Sequence, residues 1–198
     1  IALALSAQRL RIEAPVPGKP YVGIEVPNTH SSVVRLKTLL ESDAFNKVGA
    51  PLTIAIGRDV SGHPLIADLA RMPHVLIAGA TGSGKSVCIT SIAACLAMNN
   101  TPEDLRMVMI DSKMVELIRF NGLPHLYGKV ETNIERILGV LRWVVVEMEH
   151  RYRLLESAHA RDLEAYNRKV TRKADGKALP RIVVLIDELA DLMMSAPD

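Results

Sequence analysis

Read for the spacing of its apolar positions, the chain changes character near residue 70. Before that point, short alternating or β-branched runs at Leu10–Glu13, Tyr21–Val26, Ser32–Leu36 and Leu52–Ile56 are separated by Pro15, Pro17, Pro20, Pro27, Pro51 and Gly62. Such runs, bounded by proline and glycine, predict strands joined by turns, so residues 1–70 read as a small strand-rich subdomain. From His74 onward the pattern becomes strand His74–Ala78, helix Lys85–Asn99, strand Leu105–Ile110, a long helix, and strand Ile182–Ile186. Strands alternating with helices predict βαβ units, and hence an α/β fold whose parallel sheet carries helices on its faces. This second unit occupies residues 71–198. Its long helix is expected to start at Thr132, which with Glu135 fits a capping box, and Ile134, Ile137, Leu138, Leu141, Val144, Val145, Met148 and Tyr152 recur at helical spacing. That stripe, with Trp143, reads as core.

Composition narrows the class. With 198 residues, 48% hydrophobic, the chain can bury the core of one or two ordinary domains, and with only 4% aromatics that core must be aliphatic, as in sheets covered by helices. A balance of 24 basic against 22 acidic side chains leaves +2, too little to announce a nucleic-acid partner by charge alone. Cys88 and Cys95, seven residues apart on one predicted helix, lie roughly 10 Å apart, beyond disulfide reach. They read as buried apolar residues in a reducing compartment. The histidines are scattered without ligand spacing, so no structural metal is expected. No uncharged apolar stretch reaches the ~18 residues of a membrane span, and Ile1–Ala7 lacks the basic lead and the length of a signal peptide. A soluble, cytoplasmic piece of a longer protein is expected, at the cytoplasmic face of the membrane if the parent carries an anchor. Arg168, Lys169, Arg172, Lys173, Lys177 and Arg181 face the single acid Asp175 between Ala165 and Arg181. They form a solvated connector or a contact for DNA or a partner.

The chemistry begins at Gly79-Ala80-Thr81-Gly82-Ser83-Gly84-Lys85-Ser86, which matches G-x-x-x-x-G-K-[ST] between a predicted strand and a helix. Glycines let successive backbone N–H groups turn around phosphate oxygens, and the helix N-terminus adds its positive dipole end. Gly79 through Val87 are therefore the candidate nucleotide site, with Lys85 on the β and γ phosphates and the Ser86 hydroxyl placed for Mg²⁺. The second element, Ile182-Val183-Val184-Leu185-Ile186-Asp187-Glu188, is an unbroken aliphatic strand ending in two acids, at the carboxyl end where parallel sheets bind ligands. Asp187 is the candidate Mg²⁺ ligand and Glu188 the candidate base for the attacking water. Asp111, after the strand Met107–Ile110, faces the nucleotide or a neighbouring subunit, or caps its strand end. No Asn-Lys-x-Asp element follows, which counts against a GTPase.

Several segments together resemble the motor of FtsK/SpoIIIE DNA translocases: Pro17-Gly18-Lys19-Pro20-Tyr21-Val22-Gly23-Ile24-Glu25-Val26-Pro27-Asn28, Met72-Pro73-His74, Leu141-Arg142-Trp143 through Glu147-Met148-Glu149 to Arg151-Tyr152, and Asp187-Glu188-Leu189-Ala190-Asp191-Leu192-Met193-Met194. The resemblance implies a RecA-like P-loop ATPase domain, here C-terminally incomplete, preceded by a smaller α-type domain. It implies a hexameric ring on double-stranded DNA, driven by ATP and Mg²⁺ in chromosome segregation at cell division or sporulation. It also implies Asp187 as the Walker B acid, Glu188 as the catalytic base, and an arginine supplied by the adjacent subunit from beyond Asp198. Ser112 stands where the family has proline in its Asp-Pro-Lys turn, leaving the roles of Asp111 and Lys113 open. Two alternatives stand beside this reading: a related ring ATPase that moves protein in a secretion system, and a non-hydrolysing nucleotide-gated adaptor working through residues 10–66.

Overall fold

A computed structural model describes residues 10–28, 30, 32–80, 82–172 and 176–195. Ile1–Ala7, Thr81, Lys173, Asp175 and Asp198 lie outside the described residues. The chain opens with a short antiparallel pair, β1 (Arg11–Glu13) and β2 (Gly23–Glu25), with Ile12 opposite Ile24. The expected strand at Ser32–Leu36 does not form. Val33 and Val34 are exposed and unladdered, and Leu36 instead begins helix α1 (Leu36–Leu40). A β-branched pair favours a strand only where a neighbouring strand receives it. Helix α2 (Asp43–Val48) follows, opened by Ser42, whose hydroxyl accepts from the Phe45 N–H, and closed by Gly49 at φ 56°.

Strands β3 (Thr53–Arg58) and β4 (Pro64–Asp68) pair antiparallel around the Asp59–Gly62 turn. The second of these was not expected, because Pro64-Leu65-Ile66-Ala67 is too short to show a period of its own. Helix α3 (Lys85–Asn99) lies against β3, burying Ile89, Ile92, Ala93, Cys95 and Leu96. Burial of each of the larger side chains, Ile89, Ile92 and Leu96, contributes about 1.5–3 kcal/mol. Cys88 and Cys95 are both free thiols; burial pushes the Cys95 thiol up from its ordinary value.

β5 (Leu105–Ile110) is the central strand of the remaining half. On one edge it pairs in parallel with β6 (Arg181–Ile186), Ile110 opposite Ile186. On the other it takes the segment His125–Glu131, through Met107 N to His125 O (2.8 Å), Glu131 N to Met109 O (2.9 Å) and Asp111 N to Glu131 O (2.9 Å). Pairing on both edges explains why Leu105, Met107, Met109 and Ile110 are almost fully buried. One core then joins Leu39, Phe45 and Ile54 with α3, β5 and Leu185, so packing runs continuously across residue 70.

Three expectations fail in this half. His74–Ala78 forms no strand: Val75 and Leu76 are 48% and 78% exposed, and no described strand pairs with that segment. An apolar run needs a ladder as well as a pattern. Helix α4 (Ile134–Ser157) starts one residue later than the predicted box, with Asn133 as its cap, accepting from Arg136 N at 3.2 Å. Glu131 rather than Glu135 receives the preceding N–H groups, those of Thr132 and Asn133. Of the predicted core stripe only Ile137 is buried, with Val140 and Leu141 packed beside it; Trp143, Val145, Met148 and Tyr152 are exposed. Helices α5 (Leu163–Val170) and α6 (Leu189–Ser195) flank β6 in sequence. Among the described residues no helix is long and apolar enough to cross a membrane.

Candidate nucleotide-binding and hydrolysis site

The glycine-rich loop runs directly into α3. Gly82 and Gly84 have φ of 81° and 96°, in the left-handed region that glycine enters without steric cost. Gly84 is the N-cap of α3, so Lys85 and Ser86 occupy the first turn, where backbone N–H groups lack helical partners and favour an anion. The loop closes on itself through Ser83 N to Ala80 O at 2.9 Å, and a Cβ added at Gly79 would collide with the Ser83 hydroxyl. Lys85 and Ser86 are half-buried, while Val87 is exposed on the outer side of the helix.

The acids come to this loop by register. Because Ile110 and Ile186 are partners in a parallel pair, Asp111 and Asp187 leave neighbouring strands at the same carboxyl end, and Asp187 N donates to Ile110 O at 3.1 Å. Lys85 Nζ spans the gap to β6, donating to Asp187 O at 2.9 Å and to Glu188 Oε2 at 3.1 Å. Residues 102 and 103 positions apart thus form one cluster at the carboxyl end of the sheet, where open α/β sheets bind ligands.

Asp187 is 6% exposed, and its Oδ1 has no hydrogen-bond partner. Burial holds its carboxyl above the usual range; Lys85 pulls the other way, and Asp111, Glu116 and Glu188 add to the rise. A buried carboxylate oxygen without a donor, crowded by other acids, fits a bound divalent cation, which supplies the missing positive charge. Glu188 is set oppositely. Hydrogen bonds from Lys85 and then Lys113 hold its carboxyl below the usual range. One strand end therefore carries two adjacent acids in contrasting environments.

Asp111 serves as a cap. It is fully buried, and its Oδ2 accepts from the N–H groups of Glu116 (3.0 Å), Leu117 (2.8 Å) and Ile118 (3.3 Å), tying down the turn after β5. Replacing it by alanine leaves the buried Leu117 N–H and two half-buried N–H groups without their acceptor, and we expect a loss of about 3 kcal/mol of stability, read from denaturant unfolding of the full-length protein. A loss below about 1 kcal/mol would remove the cap from the fold's supports.

With this geometry in place, comparison with known proteins decides the lineage. The FtsK/SpoIIIE family profile matches residues 35–198, and that of the FtsK alpha domain matches residues 1–28. The chain belongs to the FtsK/SpoIIIE family. It is 50% identical to DNA translocase SftA of Bacillus subtilis over all of its 198 residues, and 48% identical over 99% of its length to DNA translocase SpoIIIE of the same organism. DNA translocase FtsK of Clostridium tetani is 48% identical over the whole chain. The chain spans 21%, 26% and 27% of these relatives, respectively. Among solved structures it is similar to the monomeric pCW3 conjugation coupling protein TcpA with ATPγS (TM-score 0.67, 27% identity, 100% of this chain and 52% of that one). It is also similar to the cytoplasmic domain of the Thermomonospora curvata type VII secretion ATPase EccC (TM-score 0.64, 28%, 83% and 22%). The α/β class with parallel strands, read from the sequence, agrees with these neighbours.

Several segments that carry the FtsK/SpoIIIE likeness have structural reasons in this chain. Pro17–Pro20 forms the turn between β1 and β2, closed by Val16 N to Tyr21 O at 3.0 Å, and a Cβ on Gly23 would come within 2.8 Å of the Val16 side chain. Arg151 pairs with Glu147 at 2.6 Å and donates to Pro180 O at 2.6 Å, fastening α4 to the approach to β6. In the basic connector, Lys169 donates to the carbonyls of Ala158 and His159 after α4, and Arg181 pairs with Glu164. Ser112 donates to Asp191 Oδ2 at 2.8 Å, and Lys113 Nζ meets Glu188 Oε2 at 3.1 Å. Those last two links were missed from sequence, since they join positions 75 and more apart with no shared period.

Proposed function

We propose that this chain is part of the motor of an ATP-hydrolysing, Mg²⁺-dependent translocase of double-stranded DNA, working as a homohexameric ring in the cytoplasm during chromosome segregation. The observation that carries the reading is the convergence of Lys85, Asp187 and Glu188 on the loop that opens α3. Gly79–Val87 would cradle the triphosphate, with Lys85 leaving its carboxylate partner for the β and γ oxygens. Ser86 and Asp187 would hold Mg²⁺, which when bound neutralises charge on those oxygens. Glu188 accepts a proton from water; that water's oxygen bonds to the γ-phosphorus as the bond to the ADP-side bridging oxygen breaks. A neighbour's arginine is expected to complete the charge balance.

DNA as the cargo is supported by the translocase names of relatives near 50% identity. A protein cargo has one supporting observation, the likeness to a type VII secretion ATPase at 28% identity. ATPase measured on the full-length protein with and without duplex DNA separates them: stimulation by DNA of any sequence is expected, and indifference to DNA would favour the protein-moving reading. A moving ring must hold phosphates rather than read bases, so binding should also be sequence-tolerant and weaken by ~10³ or more between 50 and 200 mM salt. Salt-insensitive binding, or preference for one short site by the motor itself, would contradict it.

A further inference from the structure

We infer that Lys113 is the positioning residue for Glu188, keeping the base aligned when Lys85 departs for the nucleotide. The inference deepens the hydrolysis reading and rests on Glu188 being the base. Glu188 is held by two ammonium groups at the same distance, Lys85 and Lys113, both 3.1 Å from Oε2. They differ in what nucleotide binding does to them. Lys85 belongs to the phosphate-binding turn and is drawn to a polyanion far more strongly than to a single carboxylate. Lys113 belongs to the turn after β5, outside the glycine-rich loop that opens α3.

That turn is itself anchored. Asp111 fixes it from behind through the N–H groups of residues 116–118, and Ser112 Oγ ties it to Asp191 of α6 at 2.8 Å. Lys113 and Ser112 therefore link the end of β5 to both the residue after Asp187 and the first turn of the following helix. Energetically the ion pair is minor, because Lys113 is 52% exposed and Glu188 26% exposed at the side chain. Its importance is geometric. Both lysines use Oε2, so neither occupies Oε1, which is left to take the proton of the attacking water. With Lys85 withdrawn, Lys113 is the one of these two cations left to restrain the torsions that aim Oε1.

The test is steady-state and single-turnover hydrolysis by the full-length protein, with nucleotide affinity measured separately, for Lys113→Met, Lys113→Arg, Glu188→Gln and the double variant Lys113→Met/Glu188→Gln. A misaimed base predicts that Lys113→Met lowers kcat about tenfold while the Kd for ATP stays within about twofold, and that Lys113→Arg restores most of the loss. In the Glu188→Gln background, Lys113→Met should cost nothing more, because the group it aims is already gone. The inference is overturned if Lys113→Met turns over normally, if it weakens ATP binding as much as it lowers kcat, or if its loss multiplies with that of Glu188→Gln. Normal hydrolysis by Glu188→Gln alone would instead remove the base assignment beneath it.

Discussion

Lys85→Ala in the full-length protein is expected to lower ATP turnover by ~10² or more while leaving the fold in place. The side chain is 23% exposed, and its ammonium points to the site, bonding Asp187 O and the Glu188 carboxylate and supporting no apolar core. What disappears is the positive charge matched to the β and γ oxygens, where charge accumulates during transfer. Truncation also frees Glu188 from one of its two cations, so the folded state should lose little. The measurement pairs single-turnover hydrolysis with a melting curve. Near-normal turnover would remove Lys85 from the chemistry, and a collapse of the fold would assign it a structural role instead.

The second large effect separates the two acids. Glu188→Gln keeps size and one hydrogen-bond acceptor but removes the charged lone pair that takes the proton, so turnover should fall by ~10² or more with ATP and Mg²⁺ still bound. Its affinity for ATP should rise modestly, because Lys85 no longer has an ion pair to break before reaching the phosphates. Asp187→Asn acts elsewhere. Its buried Oδ1 lacks a donor and suits a cation, so the amide should weaken binding specifically in the presence of Mg²⁺. ATP affinity with and without Mg²⁺, alongside single-turnover hydrolysis, distinguishes the two defects. Similar binding losses in both variants would mean that the acids only shape the local field, and normal hydrolysis by Glu188→Gln would turn attention to Asp111, whose Oδ1 is also buried without a partner.

The contrast between those acids depends on their surroundings rather than their type. Adjacent residues at a strand end point in different directions, so Asp187 turns inward and is desolvated while Glu188 turns toward two lysines. Their adjacency in sequence identified the pair, and an aliphatic strand before them placed it at the carboxyl end of the sheet. Which acid is buried, and that Lys113 stands opposite Glu188, required the parallel register of β5 and β6.

By itself the sequence determined whatever is local and chemically particular. A G-x-x-x-x-G-K-S run can only be read through backbone freedom and helix-end charge, and Gly82, Gly84 and the start of α3 lie where that reading puts them. Helix α4 followed from its helical period and strand β6 from its unbroken aliphatic run, while α3 followed from the glycine-rich loop that opens it. Tertiary structure decided whatever depends on a partner. Ser32–Leu36 and His74–Ala78 have the composition of strands, but a strand exists only when another backbone receives its hydrogen bonds. The apolar stripe of α4 established an amphipathic helix, yet periodicity carries no information about what lies across from it, and only Ile137 of that stripe is buried. Asp111 was equally suited to ligand or cap until the turn of residues 116–118 folded back and brought its N–H groups to one carboxylate oxygen. Spacing along a chain encodes the geometry of one element, whereas contacts between elements are set by packing that no single segment contains.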